Sequence, residues 1–342
     1  MSFVQPGRFD VHVNRPLTNI ATAMIQDASN FIADQIFPNV PVQKQSDVWW
    51  NMPRGAFNRA DMKERAPATE SAGANFMVEV SDPYLARVYA LHHDIHDQVR
   101  ANADSALNLD RMTTLFLTTK AMLQRETSWI NLYFKAGVWT FEFDGVASGA
   151  TPFATLDPTS DANNNVLQWN DAASTPIEII RKAKSFMLGR TGFMPNTLTL
   201  GRQVYDTLVD HPDIVGRIDR GQTPVGPART TRENLATLFE LDRVLVSDAI
   251  INSGKEGLAD SHNFIAGKHA LLSYTPANPG LWVPSAGYTF SWNGYFAAGP
   301  MGERMKRFRM EHLSADRVEI EMAYTQKVIS PEMGFFFENI VA

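Results

Sequence analysis

The sequence has no cysteine. That removes disulfides, thiolate metal sites and cysteine nucleophiles together, and it suits a chain that folds in a reducing compartment. No segment approaches the roughly 18 consecutive apolar residues of a membrane span. The first residues, MSFVQPGRFDVHVNRPL, lack the apolar run of a secretion signal, so the expectation is a soluble chain made inside the cell. An excess of positive charge is missing as well. The net charge is −6 over 342 residues, so no basic tail advertises condensation of nucleic acid. No two of the 21 glycines stand two positions apart, which excludes a GxGxxG dinucleotide loop. Gly267-Lys268 has neither the upstream glycine nor the following Ser/Thr of a P-loop, and there is no GxSxG elbow or HExxH helix.

What is present is ordinary folded-protein composition, 44% hydrophobic and 20% charged, with length for two or three structural units. Residues 1–45 read as an arm with one helix. Pro6, Pro16, Pro38 and Pro41 punctuate it, and Ile20, Met24, Ile25, Ala28, Phe31 and Ile32 have helical spacing up to Pro38. From Ser46 to about Asp82 the chain predicts a long hairpin-like excursion. VWWNM and NFMVEV are its arms, Phe76, Val78 and Val80 alternate, and RAPATESAGA is a loose centre. Trp49, Trp50 and Phe57 have too little chain around them to build a core there, which marks a contact surface.

Asn108 to Ala136 predicts a long helix, N-capped by Asn108 and stopped at Gly137. Leu109, Met112, Phe116, Thr119, Leu123, Glu126, Ile130 and Tyr133 form its apolar seam. Glu126 is the exception on that seam, and a basic partner or an interface is expected for it. Residues 138–173 read as loop. A compact α/β unit follows: a helix begun by a Thr175–Glu178 capping box with Pro176 and closed by Gly189, then the strand NTLTLG, the helices RQVYDTLVDH and RENLATLFE, and the strands DRVLVSDAII and NFIAGKHALLSYT. After Pro276 the chain reads mainly as strands, the last being GFFFENIVA.

Chemistry has one conspicuous candidate, ALHHDIHDQV, with His92, His93, Asp94, His96 and Asp97. A helix would put His92 with His96 on one face; a strand would align His92, Asp94 and His96. Either gives two or three metal ligands, and a metal-dependent hydrolase is the enzyme such a site would serve. The bland alternative is a polar strand end leading into a loop at a solvated or subunit-contacting surface. His12, His211, His262, His269 and His312 are scattered and supply no further ligand spacing. No catalytic, metal-ligating or cofactor-binding residue is assigned, and no cofactor is expected. Two basic clusters remain: Arg304, Lys306, Arg307 and Arg309, with Glu303 and Glu311 beside them, and Arg229 with Arg232. They are candidates for contact with a polyanion such as DNA or for ion pairs.

Several of these stretches, in this order, carry a resemblance. ADQIFPNVPVQKQSDVWW (33–50), ERAPATESAG (64–73), DQVRANADSALNLDRMTTLFLTTKAMLQRE running on to YFKAGVW, and GFMPNTLTLGRQVYDTLVDHPDI (192–214) resemble the major capsid proteins of tailed bacteriophages with the Hong Kong 97 fold. The resemblance implies an α+β architecture: an N-terminal arm (1–45), an extended loop hairpin (46–85), a peripheral domain (86–145) with a spine helix at about 108–136, an α/β axial domain (146–284), and peripheral strands with the C-terminus (285–342). It implies a non-enzymatic protein that assembles into pentamers and hexamers of itself, closing an icosahedral head around double-stranded DNA without sequence-specific binding. The head would be assembled in the host bacterial cytoplasm, with no membrane involved.

The extended loop would reach over a neighbouring subunit, making Trp49, Trp50, Arg54, Phe57, Arg59, Lys63 and Arg65 subunit-interface residues whose partners lie on another chain. His92, His93 and His96 would lie where that loop returns, as a candidate pH-sensitive contact. About 45 residues before the loop leave no room for a built-in scaffolding domain, so a separate scaffolding protein is expected, with a portal and, in some relatives, decoration proteins. Lys44 and Lys63 stand near the loop without an identifiable crosslinking partner. The same fold also serves encapsulins, cellular compartments that enclose cargo enzymes, and fold does not separate the two.

Overall fold

The computed structural model describes residues 26–51, 54–103, 108–159, 164–221, 230–255, 257–280, 283–295 and 302–342. Residues 19–25 of the arm's expected helix, and Arg229, lie outside them.

Two sheets and one long helix organise the chain. The first sheet runs Asn39–Val42, Gly287–Trp292, Ala315–Val328, Glu303–Met310, with Arg87–His96 along the free side of Ala315–Val328. All its pairings are antiparallel except that of Asn39–Val42 with Gly287–Trp292. The second sheet is six-stranded, in the order Arg243–Ser247, Thr197–Gly201, Ala270–Ser273, Gly334–Glu338, Phe141–Val146, Asn165–Leu167. Helices Pro176–Thr191, Arg202–Val209 and Arg232–Phe239 pack with it around a buried core that includes Ile180, Met187, Leu198, Leu208 and Phe239.

Strand GFFFE joins the halves. Side chains alternate across a strand, so Phe335 and Phe337 face the α/β core while Phe336 faces Trp129, Phe134 and Phe37. All three phenylalanines are fully buried. Expected among the late strands, this strand belongs instead to the six-stranded sheet, beside Phe141–Val146. The latter is a strand where the sequence predicts loop over 138–173. Its partner lies some 190 residues away in sequence, which no local pattern reveals.

The long helix spans Leu109–Tyr133, about 37 Å at 1.5 Å per residue. Asn108 caps it by accepting the N–H of Arg111 at 3.0 Å. It ends at Phe134, before Gly137, because Phe134 turns inward against Trp129 and Phe336. The buried face also differs from the expected seam. Thr113, Leu117, Ala121, Arg125, Glu126, Trp129 and Ile130 are buried, whereas Met112 and Phe116 are exposed. The sheet's Ile95, Val318, Ile320 and Met322 meet Leu117 and Ala121, so one face one residue round from the expected one is covered.

Smaller corrections are local. Residues 26–37 do not form a continuous helix: Ala28–Asn30 is a single 3-10 turn, Phe31 is extended and Ala33–Ile36 is one helical turn. Thr175 makes no side-chain cap bond, and the helix it precedes runs past Gly189 to Gly192, whose φ of +79° suits glycine at a left-handed stop. The expected loop after His96 begins as a short helix, Asp97–Asn102.

Candidate functional site

The 46–85 excursion is a hairpin pinned at its base. Ser46 and Asp47 pair with Leu85 and Tyr84, and Trp50 and Asn51 pair with Val80 and Glu79. Arg54–Phe57 forms one helical turn, and 58–78 has no helix or strand. Trp50 is 57% exposed, Phe57 58% and Met62 98%. Arg59, Lys63 and Arg65 are exposed too.

The aromatic residues have different fates. Trp49 stacks on Phe290 at 5.9 Å, and Tyr84 stacks on the same ring at 4.6 Å. Trp49 therefore has a partner in its own chain, contrary to the expectation for it. Among the described residues Phe57 has one ring neighbour, Phe76 at 5.5 Å, inside the excursion. Arg54 is ion-paired to Glu332 of the body, and an open groove of about 800 Å³ lies beneath, lined by Trp49, Trp50, Phe57, Phe193 and Tyr288 among others.

The histidine cluster lies on strand Arg87–His96. His92, His93 and His96 are exposed. In register, His92 is opposite Glu319 and Asp94 opposite Arg317. Asp94 is taken by Arg317 through two hydrogen bonds of 2.7 and 2.8 Å, which hold its carboxyl below the ordinary range, with His92 and His96 adding to the same direction. His93 meets Phe116 edge-on at 6.2 Å. Among the described residues no group of three His, Asp or Glu side chains converges as a metal site.

The basic strand Glu303–Met310 is matched by carboxylates. Arg304 reaches Glu321 (2.6 Å), Lys306 reaches Glu321 and Glu319 (2.8 and 3.1 Å), Arg307 reaches Asp316 (2.7 Å) and Arg309 reaches Asp97 (2.5 Å). Asp316 collects Arg100, Arg307 and Arg309 and is the hub of the network, which its place in the sequence did not announce. The hydrogen bond from Arg307 and the neighbouring arginines hold Asp316 low; the hydrogen bond from Arg309 does the same for Asp97. Of the two readings of this cluster, ion pairing is the one this geometry favours. Arg232 of the second cluster is likewise bonded to Asp248 at 2.6 Å.

One buried pair imitates catalytic machinery. His211 Nε2 is 2.9 Å from Ser174 Oγ. Its Nδ1, however, accepts the N–H of Asp213 at 3.1 Å. That assigns the ring proton to Nε2, which then donates toward Ser174 and cannot receive its proton. His211 thereby accepts from the first turn of the helix Pro212–Gly221, and its Nε2–H faces Ser174 Oγ and the Asp171 carbonyl. Among the described residues Glu126 meets no basic partner: Oε2 accepts the N–H groups of Ile32 and Ala33 at 2.9 and 2.8 Å, and Ser247 Oγ donates to Oε1 at 3.1 Å.

The fold of two sheets, a long helix and a projecting hairpin is shared with solved phage capsid proteins. Over 92% of this chain and 94% of the other, the structure matches a phage-related protein of Bordetella bronchiseptica RB50 with TM-score 0.66 at 18% identity. The subunit in the mature capsid of bacteriophage PhiM1 matches with TM-score 0.57 at 12% identity, covering 93% of this chain and 89% of that one. An encapsulin complex from Synechococcus elongatus PCC 7942 shares the fold at TM-score 0.52 and 11% identity, covering 96% and 95%.

Within that fold the sequence is similar to phage major capsid proteins. It is 26% identical over 345 residues to that of Pseudomonas phage JBD67, covering 96% of this chain and 97% of the relative. It is 24% identical over 295 residues to that of Burkholderia phage BcepMu, covering 82% and 84%. No family model matches the chain. The resemblance to phage major capsid proteins stated from the sequence is therefore upheld.

Proposed function

We propose that this chain is the major capsid subunit of a tailed phage, a structural protein whose copies form pentamers and hexamers that close an icosahedral head around double-stranded DNA. The observation that carries this reading is the end-to-end similarity to the JBD67 major capsid protein. In Hong Kong 97 terms, residues 46–85 act as the extended loop, the long helix and the first sheet as the peripheral domain, and the six-stranded sheet with its helices as the core of the axial domain. Trp50, Phe57, Arg59, Lys63 and Arg65 contact a neighbouring subunit. Arg54 is held by Glu332 within the chain and Trp49 packs inward, so these two position the loop.

Exposed apolar side chains on a projecting hairpin support this, since large apolar surface outside a core marks an interaction surface. The net charge of −6 and the paired basic strand support a shell that encloses DNA without condensing it. A separate scaffolding protein and a portal belong to the same proposal. The encapsulin alternative shares the fold, but the sequence relatives named here are phage proteins and favour the phage reading.

Electron microscopy with light scattering on the purified chain tests the proposal. Closed shells, or pentamers and hexamers, are expected. A chain that stays monomeric under every assembly condition would sink it. Stoichiometric metal by elemental analysis, lost in His96→Ala, would revive the hydrolase reading.

A further inference from the structure

Residues 26–42 run across the junction of the long helix, the six-stranded sheet and the first sheet, attached at nearly every step. Gln26 exchanges two hydrogen bonds with the backbone of Ile250 (2.8 and 2.9 Å). Ile32 and Ala33 donate to Glu126 of the long helix. Gln35 O accepts from Arg243, Ile36 O from Thr275 and Phe37 O from Thr289, at 2.7, 3.2 and 3.0 Å. Phe37 fits over Gly287, where a Cβ would come within 2.4 Å of its ring. At the centre sits Glu126, completely buried beneath this segment, reaching it on one oxygen and the end of strand Arg243–Ser247 on the other.

We propose that residues 26–37 are a separable strap whose docked state is favoured by the neutral form of Glu126 and weakened by the ionised form. A neutral carboxylic acid satisfies the site completely: Oε2 accepts both strap N–H groups while the acid O–H donates to Ser247 Oγ. Ionised, the same group keeps its acceptors but places a charge in a site shut off from water, where no cation among the described residues contacts it directly. Burial pushes the Glu126 carboxyl up to about 7; the bonds from Ala33, Ile32 and Ser247 oppose that, and Asp34 adds to it.

The surrounding groups come from every packed element. Asp34, on the strap, is itself raised by burial against the pull of Arg125, with Glu303 adding to the rise. Arg125 of the long helix lies 2.7 Å from Asp34, in charge contact without hydrogen-bond alignment, and over the ring of Tyr324 at 5.0 Å. Burial keeps Tyr324, from strand Ala315–Val328, neutral, pushed up to about 12. Both acids therefore shift in the same direction. A carboxyl raised on docking binds a proton as the strap closes. Its contribution is complete below the ordinary value of 4.5 and is lost as pH rises through about 7. Between pH 6 and pH 8 the docking constant falls about tenfold.

Hydrogen exchange of the full chain at pH 6, 7 and 8, corrected for intrinsic exchange, tests this on peptides within 27–37, with Thr197–Gly201 as the internal reference. The wild-type strap should lose about tenfold protection from pH 6 to 8 while the reference strand holds. Glu126→Gln, whose amide oxygen accepts both N–H groups and whose NH2 donates to Ser247, should remain protected at all three. A flat wild-type strap, or an equal slope in Glu126→Gln, would overturn the proposal. The measurement does not depend on shell formation, so it stands or falls apart from the capsid reading.

Discussion

Trp49 and Trp50 are neighbours in the chain and point to opposite environments, one against Phe290 and the other into solvent. Replacing them separates folding from assembly. Trp49→Ala should cost the subunit about 1–3 kcal/mol, through lost stacking and a partly filled space. Trp50→Ala should stay within about 0.5 kcal/mol by thermal melting, yet reduce particle yield if it contacts a neighbour. Equal loss of melting temperature for both would contradict the structure. Gly287 gives a second residue-scale test. Its Cβ position is filled by the Phe37 ring, so Gly287→Ala should destabilise by about 1–3 kcal/mol and raise exchange in the strap first.

At the scale of elements, the long helix carries two apolar faces with different roles. Leu117 is fully buried against the first sheet, so Leu117→Ala should cost about 2–5 kcal/mol in denaturant unfolding. Phe116 and Met112, one turn along the exposed side, should be nearly neutral for the subunit and should matter only when copies meet. The helix and its approximate ends were legible from Asn108 and the three–four spacing. Which of two adjacent apolar stripes faces inward was not, because the sheet that covers it comes from residues near 90 and 320. Likewise the histidines were legible as a cluster, while Arg317, which occupies Asp94, lies 223 residues away.

For the whole molecule, two sets of carboxylates act in opposite directions with pH. Asp94, Asp97 and Asp316 are held low by arginine hydrogen bonds, and Glu321, despite partial burial, is held low by Lys306 and Arg304. Their contribution is present above the ordinary carboxylate range and is lost as pH falls through their depressed values. Glu126 and Asp34, raised by burial, lose theirs as pH rises. Stability should therefore peak at mildly acidic pH, measurable as melting temperature from pH 3 to 9. Added salt should blunt the acid limb, whose groups are near water, more than the alkaline limb, whose groups are buried. A monotonic profile across that range would count against this division.

The sequence by itself determined composition, the absence of thiol and nucleotide-loop chemistry, the long helix, the projecting hairpin and three of the six strands of the α/β unit's sheet. These depend on periodicity, caps and glycine positions, which act over a few residues. Tertiary structure alone decided that GFFFE lies between two cores, that Phe141–Val146 is a strand, that Trp49 turns inward, and that Glu126 receives backbone N–H groups in place of a basic partner. Each of those outcomes depends on a group more than 90 residues distant, and side-chain pattern carries no signal across such separations.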